Sequence, residues 1–160
     1  MPAKKLKEYL DANGVAYVTV THSVAYTAQE VASLAHVPGK DMAKTVMVKV
    51  DGHMAMAVLP ASAKVDLELL KVVTRSHDVQ LAAEWEFKTM FPDCETGAMP
   101  PFGNLYGMRI YMEKSLREDD EIAFNAGTHR ELIWMRRADF ERLTHPYLAE
   151  FAEEALATAG

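Results

Sequence analysis

The stretch from Phe91 to Gly107 constrains this chain most, because its sequence, FPDCETGAMPPFGNLYG, suits neither a helix nor a strand. It holds three of the seven prolines and three of the eight glycines. Proline fixes its own φ and removes a hydrogen-bond donor, whereas glycine permits positive φ and close backbone approach. Five large apolar residues also lie here, which a solvated linker would not need: Phe91, Met99, Phe102, Leu105 and Tyr106. We expect an ordered loop with backbone amides available to a ligand, the alternative being a well-packed loop without function.

The length of 160 residues predicts a single domain over 1–160 with a substantial buried core. No apolar run approaches the ~20 residues that span a membrane, so no membrane association is expected. The N-terminus, MPAKKLKEYL, has no apolar segment typical of a signal peptide. The single cysteine, Cys94, excludes an internal disulfide and a cysteine-based zinc site. These features predict a cytoplasmic protein.

The net charge of −6 limits the possible partners. Proteins that grip long nucleic acids are usually basic, because neutralising phosphates supplies much of the affinity. We therefore expect no DNA binding and no coating of RNA. A short nucleic-acid terminus held in a locally positive pocket remains compatible with this charge.

The clearest secondary structure is a hairpin. Val46, Val48 and Val50 alternate with polar or longer residues in the strand Ala43–Val50, and Asp51-Gly52 is a typical hairpin turn. The return strand is predicted over 54–59. Further strands are predicted over 15–20, 79–82, 108–112, 122–125 and 132–135, and helices over 4–12, 28–35, 66–73, 83–90, 138–143 and 146–157. This mixture predicts an α+β fold around a mixed or antiparallel sheet.

Two side chains are candidates for chemistry on position alone. Lys44 begins the strongest strand, just after a Pro-Gly break, where functional side chains are common. His129 lies in a turn between two strands, and histidine titrates near neutrality. For each, a solvent-exposed residue without a function is the alternative. The pattern around them does not decide between these interpretations.

Metal and covalent chemistry find less support in the sequence. The six histidines never show the His-x-x-x-His spacing of a helical metal site, so no metal and no other cofactor is predicted. Cys94 lacks a recognisable flanking signature and is interpreted as a buried or incidental thiol. No phosphate-binding loop, dinucleotide fingerprint or nucleophile elbow is present.

The order of several short motifs nevertheless resembles one family, the YbaK/ProX-type aminoacyl-tRNA deacylases related to the editing insertion of bacterial prolyl-tRNA synthetases. The resemblance covers about Val15 to Leu143. The motifs that carry it are Val20-Thr21-His22, Tyr26-Thr27-Ala28-Gln29-Glu30, Ala43-Lys44-Thr45, Val58-Leu59-Pro60-Ala61, the loop from Gly97 to Gly103, and Asn125-Ala126-Gly127-Thr128-His129.

This resemblance implies a barrel-like α+β editing domain that hydrolyses the ester of a mischarged tRNA at its acceptor end. It assigns the key catalytic role to Lys44. The substrate-binding residues that it implies are His22, Gly97, Pro100, Pro101, Gly103, Gly127 and His129. The expected substrate is a small amino acid, such as alanine or cysteine, on proline tRNA, with a synthetase as a further candidate partner.

The chemistry agrees with these residue types. A ribosyl ester is already activated, so positioning, oxyanion donors and a placed water suffice, and amides near Gly97 or Gly127 are candidate donors. Two alternatives stay open from the residues alone. One is a non-catalytic module of the same fold that binds a small ligand or a synthetase. The other is a metal-dependent hydrolase that uses His22, His53 and His129.

Overall fold

The computed structural model describes residues 4–22 and 41–154. Its helices span Lys4–Ala12 (α1), Leu67–Thr74 (α2), Glu84–Phe87 (α3) and Arg137–Thr144 (α4). Its strands span Tyr17–Thr21 (β1), Ala43–Val50 (β2), His53–Pro60 (β3), Ala63–Val65 (β4), Val79–Leu81 (β5), Arg109–Glu113 (β6), Glu121–Thr128 (β7), Glu131–Arg136 (β8), Tyr147–Ala149 (β9) and Ala152–Glu154 (β10). Short 3₁₀ helices span Lys88–Met90, Gly103–Tyr106 and Lys114–Glu118. Within these ranges, no helix has the length and apolar character needed to cross a membrane.

The predicted hairpin is confirmed and forms the centre of the larger sheet. β2 pairs antiparallel with β3, and Lys44 lies opposite Leu59. Asp51 and Gly52 both have positive φ, at 49° and 81°, as the tight turns of two-residue hairpins require. The sheet has the order β5-β2-β3-β6-β9, in which β6 joins β3 in parallel and β9 joins β6 in parallel. The expected mixed sheet is therefore present.

A second sheet, β1-β8-β7, contacts the first at the beginning of β2. The Ala123 amide donates to the Asp41 carbonyl, and Met42 bridges Ala123 in parallel. The Met42 carbonyl in turn accepts a hydrogen bond from the amide of Ala61, just beyond β3. These contacts bring the start of β2, the end of β3 and strand β7 to one place. The resulting α+β fold agrees with the predicted fold class.

The proline- and glycine-rich loop is ordered by its apolar side chains, as predicted. Phe91, Met99 and Phe102 are buried in the core between the two sheets. The Phe102 ring contacts the rings of Phe124 and Phe140, with centroids 5.6 and 5.3 Å away. Such aromatic contacts add to the free energy gained from burying apolar area. The core therefore holds the loop against the sheets and leaves Gly97 exposed at the surface.

Most predicted helices and strands are found within one to three residues of their expected ends. At α2, the Asp66 side chain accepts a hydrogen bond from the Leu69 amide and caps the helix. The helix predicted over 83–90 divides into α3 and a 3₁₀ turn. The helix predicted over 28–35 lies outside the described residues.

The helix predicted over 146–157 is wrong for the described part of that range, which forms β9 and β10. β9 extends the larger sheet beside β6, and β10 pairs antiparallel with β4. The buried Glu113 carboxylate accepts hydrogen bonds from the amides of Phe151 and Ala152, at 2.7 and 2.8 Å. Phe151 is itself fully buried. Open sheet edges and a remote carboxylate, which local periodicity cannot reveal, decide the conformation here.

Candidate functional site

A small cleft of about 120 Å³ lies where the two sheets meet. Three segments that are distant in sequence form its walls: the start of β2, the proline- and glycine-rich loop of residues 91–107 (the glycine-rich loop), and β7. The lining residues are Ala43, Lys44, Thr45, Gly97, Met99 and Asn125. The fold therefore brings two predicted site residues, Lys44 and Gly97, to one cleft.

Lys44 is half-buried in this cleft. Burial lowers the pKa of its ammonium group, and the nearby charge of Lys64 lowers it further. Within residues 4–22 and 41–154, the Lys44 side chain makes no hydrogen bond or ion pair. None of the described residues therefore occupies the three ammonium donors.

Backbone hydrogen bonds join the glycine-rich loop to β7. The Glu95 amide donates to the Gly127 carbonyl at 2.7 Å, and the Gly127 amide donates to the Ala98 carbonyl at 2.9 Å. Gly97 and Gly127 have φ of 89° and 91°, a region that favours glycine. The Gly127 amide is therefore occupied. Among the described residues, the Gly97 amide donates only to the Met99 sulfur, at 3.2 Å, which is a weak acceptor that a substrate oxygen can replace.

His129 packs against the glycine-rich loop. Its backbone amide donates to the Glu95 carboxylate at 2.8 Å, and its ring Nε2 lies 3.0 Å from the Thr96 carbonyl oxygen. Because a carbonyl only accepts, Nε2 carries the proton in this contact. A Cβ built on Gly97 would lie 3.5 Å from the ring carbon Cε1. The imidazole, with only 6% of the residue exposed, packs against the loop and is not among the residues that line the cleft.

Asn125 is a site residue that sequence reasoning missed. It lies on β7, where the register with β8 shifts between Asn125 and Thr128, and lines the cleft. Its side-chain oxygen Oδ1 is buried and has no hydrogen-bond partner in the described part of the chain. A buried acceptor without a partner is costly, so a ligand donor placed there would gain affinity. The only available signal was its position at the start of the Asn-Ala-Gly-Thr-His motif.

The remaining predicted binding residues do not line the cleft. Pro100, Pro101 and Gly103 are buried residues of the loop itself. A Cβ on Gly103 would lie 3.2 Å from both the Met56 sulfur and an Ile110 side-chain carbon, so a larger residue here requires these side chains to shift. His22 follows β1, and its amide donates to the carbonyl of Arg130 in the turn after His129. Their role in substrate binding stays a prediction.

The thiol of Cys94 lacks the features of a nucleophile. It is half-buried, and burial together with the neighbouring Asp93 charge raises its pKa to about 12. The Asp93 carboxylate also accepts a hydrogen bond from the Tyr106 hydroxyl at 3.3 Å. A thiol in these surroundings stays protonated near neutral pH and reacts slowly.

The histidines of the metal-dependent alternative do not converge. His53 is exposed at the hairpin turn, opposite Val50, whereas Lys44 lies opposite Leu59 at the other end of the same two strands. In the ranges 4–22 and 41–154, no three His, Cys, Asp or Glu side chains form a group that could bind a metal ion. A larger cleft of about 490 Å³ lies at the His53 end and contains none of the predicted site residues.

Comparison with known proteins agrees with this geometry. The profile of the aminoacyl-tRNA editing domain matches residues 22–143. The multifunctional Ser/Thr-tRNA deacylase ProXp-y of Escherichia coli K12 is 28% identical over 157 residues, covering 95% of this chain and 93% of the relative.

Solved structures show the same fold. One is a proposed trans-editing enzyme for prolyl-tRNA synthetase, with a TM-score of 0.80, 19% identity and coverage of 94% of this chain and 96% of the other. A hypothetical protein has a TM-score of 0.84, 19% identity and coverage of 94% and 100%. The match to the editing profile spans most of the chain, including Lys44, the glycine-rich loop and β7. The chain therefore belongs to the aminoacyl-tRNA editing domain family, and its enzymatic class is that of an aminoacyl-tRNA deacylase.

Proposed function

We propose that this protein is a single-domain, cytoplasmic trans-editing enzyme that hydrolyses the ester between a small amino acid and the 3′ end of a mischarged tRNA. The observation that carries this proposal is the presence, in one small cleft, of a cation and an acceptor, Lys44 and Asn125, that have no partner among residues 4–22 and 41–154. A ribosyl ester of an amino acid offers complementary groups to both. Its carbonyl and ribose oxygens accept, and its ammonium and side-chain hydroxyl donate.

The reaction needs little beyond positioning. A water oxygen bonds to the ester carbonyl carbon, the bond to the ribose oxygen breaks, and that oxygen leaves with a proton as the free hydroxyl. Lys44 holds the ribose or ester oxygens, and the Gly97 amide donates to the developing oxyanion after leaving the Met99 sulfur. Holding the reactants in this way supplies several kcal/mol of the barrier reduction.

The cleft favours serine as the amino acid. Its volume of about 120 Å³ suits a small side chain, and Thr45 and Asn125 are the polar uncharged residues among those that line it. A site built to bond a substrate hydroxyl discriminates strongly against analogues without it. The E. coli relative, named as a Ser/Thr-tRNA deacylase, supports the same choice. Alanine or cysteine on proline tRNA is the second candidate, supported by the apolar Ala43 and Met99 of the same cleft.

The decisive experiment measures deacylation over a panel of tRNAs that carry serine, threonine, alanine or cysteine. We expect hydrolysis of the seryl ester to be fastest. Faster hydrolysis of alanine or cysteine on proline tRNA would favour the second candidate. Binding of the charged tRNAs without hydrolysis of any would instead identify a non-catalytic module.

Asn125→Ala is expected to lower the rate for seryl-tRNA by roughly threefold to tenfold, because one neutral hydrogen bond contributes about 0.5–1.5 kcal/mol. The rate for alanyl-tRNA should change little, so the preference for serine narrows. Asn13→Ala, at an exposed site after α1, is the matched control. An unchanged ratio of serine to alanine rates would remove Asn125 from the recognition of the side chain.

The affinity for tRNA is expected to depend weakly on salt. A net charge of −6 and a small cleft favour contact with the acceptor end alone, so few phosphates are neutralised. Measuring Kd against salt concentration tests this. A slope of about −6 or steeper, for the logarithm of the association constant against the logarithm of the salt concentration, would indicate a broad basic contact instead.

A further inference from the structure

A second lysine, Lys64, lies beside the cleft on β4. Lys44 is opposite Leu59 near the end of β3, and β4 begins after a turn of only two residues. The Ala61 amide within that turn donates to the Met42 carbonyl at 2.7 Å, which ties the turn to the residues just before β2. β4 therefore starts next to the end of β2 that carries Lys44.

The side chain of Lys64 is directed to solvent. Its neighbours Ala63 and Val65 both pack in the core on one face of β4, so the alternation of a strand places Lys64 on the other face, where it is exposed. Its charge lowers the pKa of Lys44, an effect second only to burial. The two ammonium groups are thus close enough to repel each other.

Neither lysine is paired with an acidic side chain in the described part of the chain. Lys7 and Lys49 form close ion pairs with Glu131 and Glu86, but Lys44 and Lys64 form none with any residue of 4–22 or 41–154. Glu153 lies opposite Lys64 in the β4–β10 register and still makes no ion pair with it. Two adjacent unpaired cations destabilise each other, and an anion bound between them would remove this cost.

We infer that Lys64 binds the phosphodiester of the terminal nucleotide while Lys44 holds the ester end of the same nucleotide. The ribose carries the ester on its 3′ side and a phosphodiester on its 5′ side, one sugar apart. One half-buried and one exposed cation match a substrate whose ester enters the cleft and whose phosphate stays in solvent. The inference rests on the proposed deacylase function and identifies the group that makes the enzyme prefer a nucleotide ester.

The test compares three esters of the preferred amino acid, made with adenosine, with adenosine 5′-monophosphate and with tRNA. Lys64→Ala is expected to lower kcat/KM roughly threefold to tenfold for the two esters that carry a phosphate, as for one charge-assisted contact at an exposed site. The adenosine ester should be hydrolysed at the wild-type rate. In Lys64→Ala, the slope of the logarithm of tRNA affinity against the logarithm of the salt concentration should become shallower by about 1, as for one lost phosphate contact.

Two further variants sharpen the result. Glu153→Gln removes the carboxylate opposite Lys64 and should increase kcat/KM for the phosphate-bearing esters. Lys4→Ala removes an exposed lysine of α1, whose only ion pair is with Glu8 at 3.9 Å, and should match the wild type.

An equal loss of kcat/KM on all three esters in Lys64→Ala would mean that Lys64 acts through Lys44, and this result would overturn the inference. An unchanged kcat/KM on all three esters would overturn it as well. If the wild type hydrolyses none of them, the proposed function fails, and the Kd for uncharged tRNA then tests Lys64 separately. A Kd that Lys64→Ala raises at least threefold would support the phosphate contact. An unchanged Kd would overturn it.

Discussion

Replacing Lys44 with alanine is expected to abolish most deacylation while the protein stays folded. The ammonium group lies in the cleft with no partner in the described part of the chain, so the substitution removes the cation that we propose to hold the ribose or ester oxygens. Lost positioning of a reactant can cost several kcal/mol, which corresponds to a rate decrease of about 10²-fold or more. Turnover of the preferred mischarged tRNA by each variant is the measurement.

Stability should not fall with Lys44→Ala. The pKa of Lys44 is lowered mainly by burial, so the charged form is held in the folded state at a cost that the alanine variant avoids. A thermal melt should therefore show a Tm equal to or slightly above that of the wild type. Lys44→Arg retains the charge but not the compact ammonium, and should restore little activity.

Exposed Lys114→Ala is a suitable control for the loss of one positive charge. A folded Lys44→Ala protein that turns over at nearly the wild-type rate would remove Lys44 from the site and the catalytic role with it. The depressed pKa adds a second readout. Enzymatic activity should decline at a lower alkaline pH than an ordinary lysine would produce, after subtraction of uncatalysed ester hydrolysis.

His129→Ala is expected to lower the rate by roughly 10- to 100-fold for every substrate. The ring packs against Gly97 and bonds to the Thr96 carbonyl, so its removal leaves that carbonyl unsatisfied and the loop free to shift. A displacement of about 1 Å at a reacting group can cost about 10²-fold in rate. The loss of a buried hydrogen bond should also lower the free energy of unfolding by about 1–3 kcal/mol, measured by denaturant titration.

The pH profile separates this positioning role from general-base catalysis. A histidine base would add an acid limb to the rate near neutrality, and its loss would cost about 10²–10⁴-fold for all substrates. A positioning residue leaves the shape of the profile unchanged when it is replaced. His129→Gln retains an N–H donor that can reach the Thr96 carbonyl and should recover part of the activity. Loss of the acid limb in both variants would contradict the positioning role.

The predictable parts of the fold were those with a strong local pattern. The β2–β3 hairpin followed from alternating residues and a turn whose φ angles suit Asp51-Gly52. The loop after Phe91 could be predicted as ordered because its prolines and glycines exclude regular structure while its apolar residues require burial. The helix prediction beyond Pro146 failed because the conformation there depends on open sheet edges and on the Glu113 carboxylate, which are remote in sequence.

The same division applies to the site. By itself the sequence determined that Lys44 begins a strand and that Gly97 lies in an ordered loop, since both properties follow from local patterns. The positive φ of Gly97 and Gly127 became known only from the structure. Only the tertiary structure decided that Asn125 lines the same cleft as Lys44, that His129 packs against the loop, and that β4 lies beside the start of β2. These relations join segments as far apart in sequence as Lys44 and Asn125, and they arise from packing and sheet pairing, which no local pattern records.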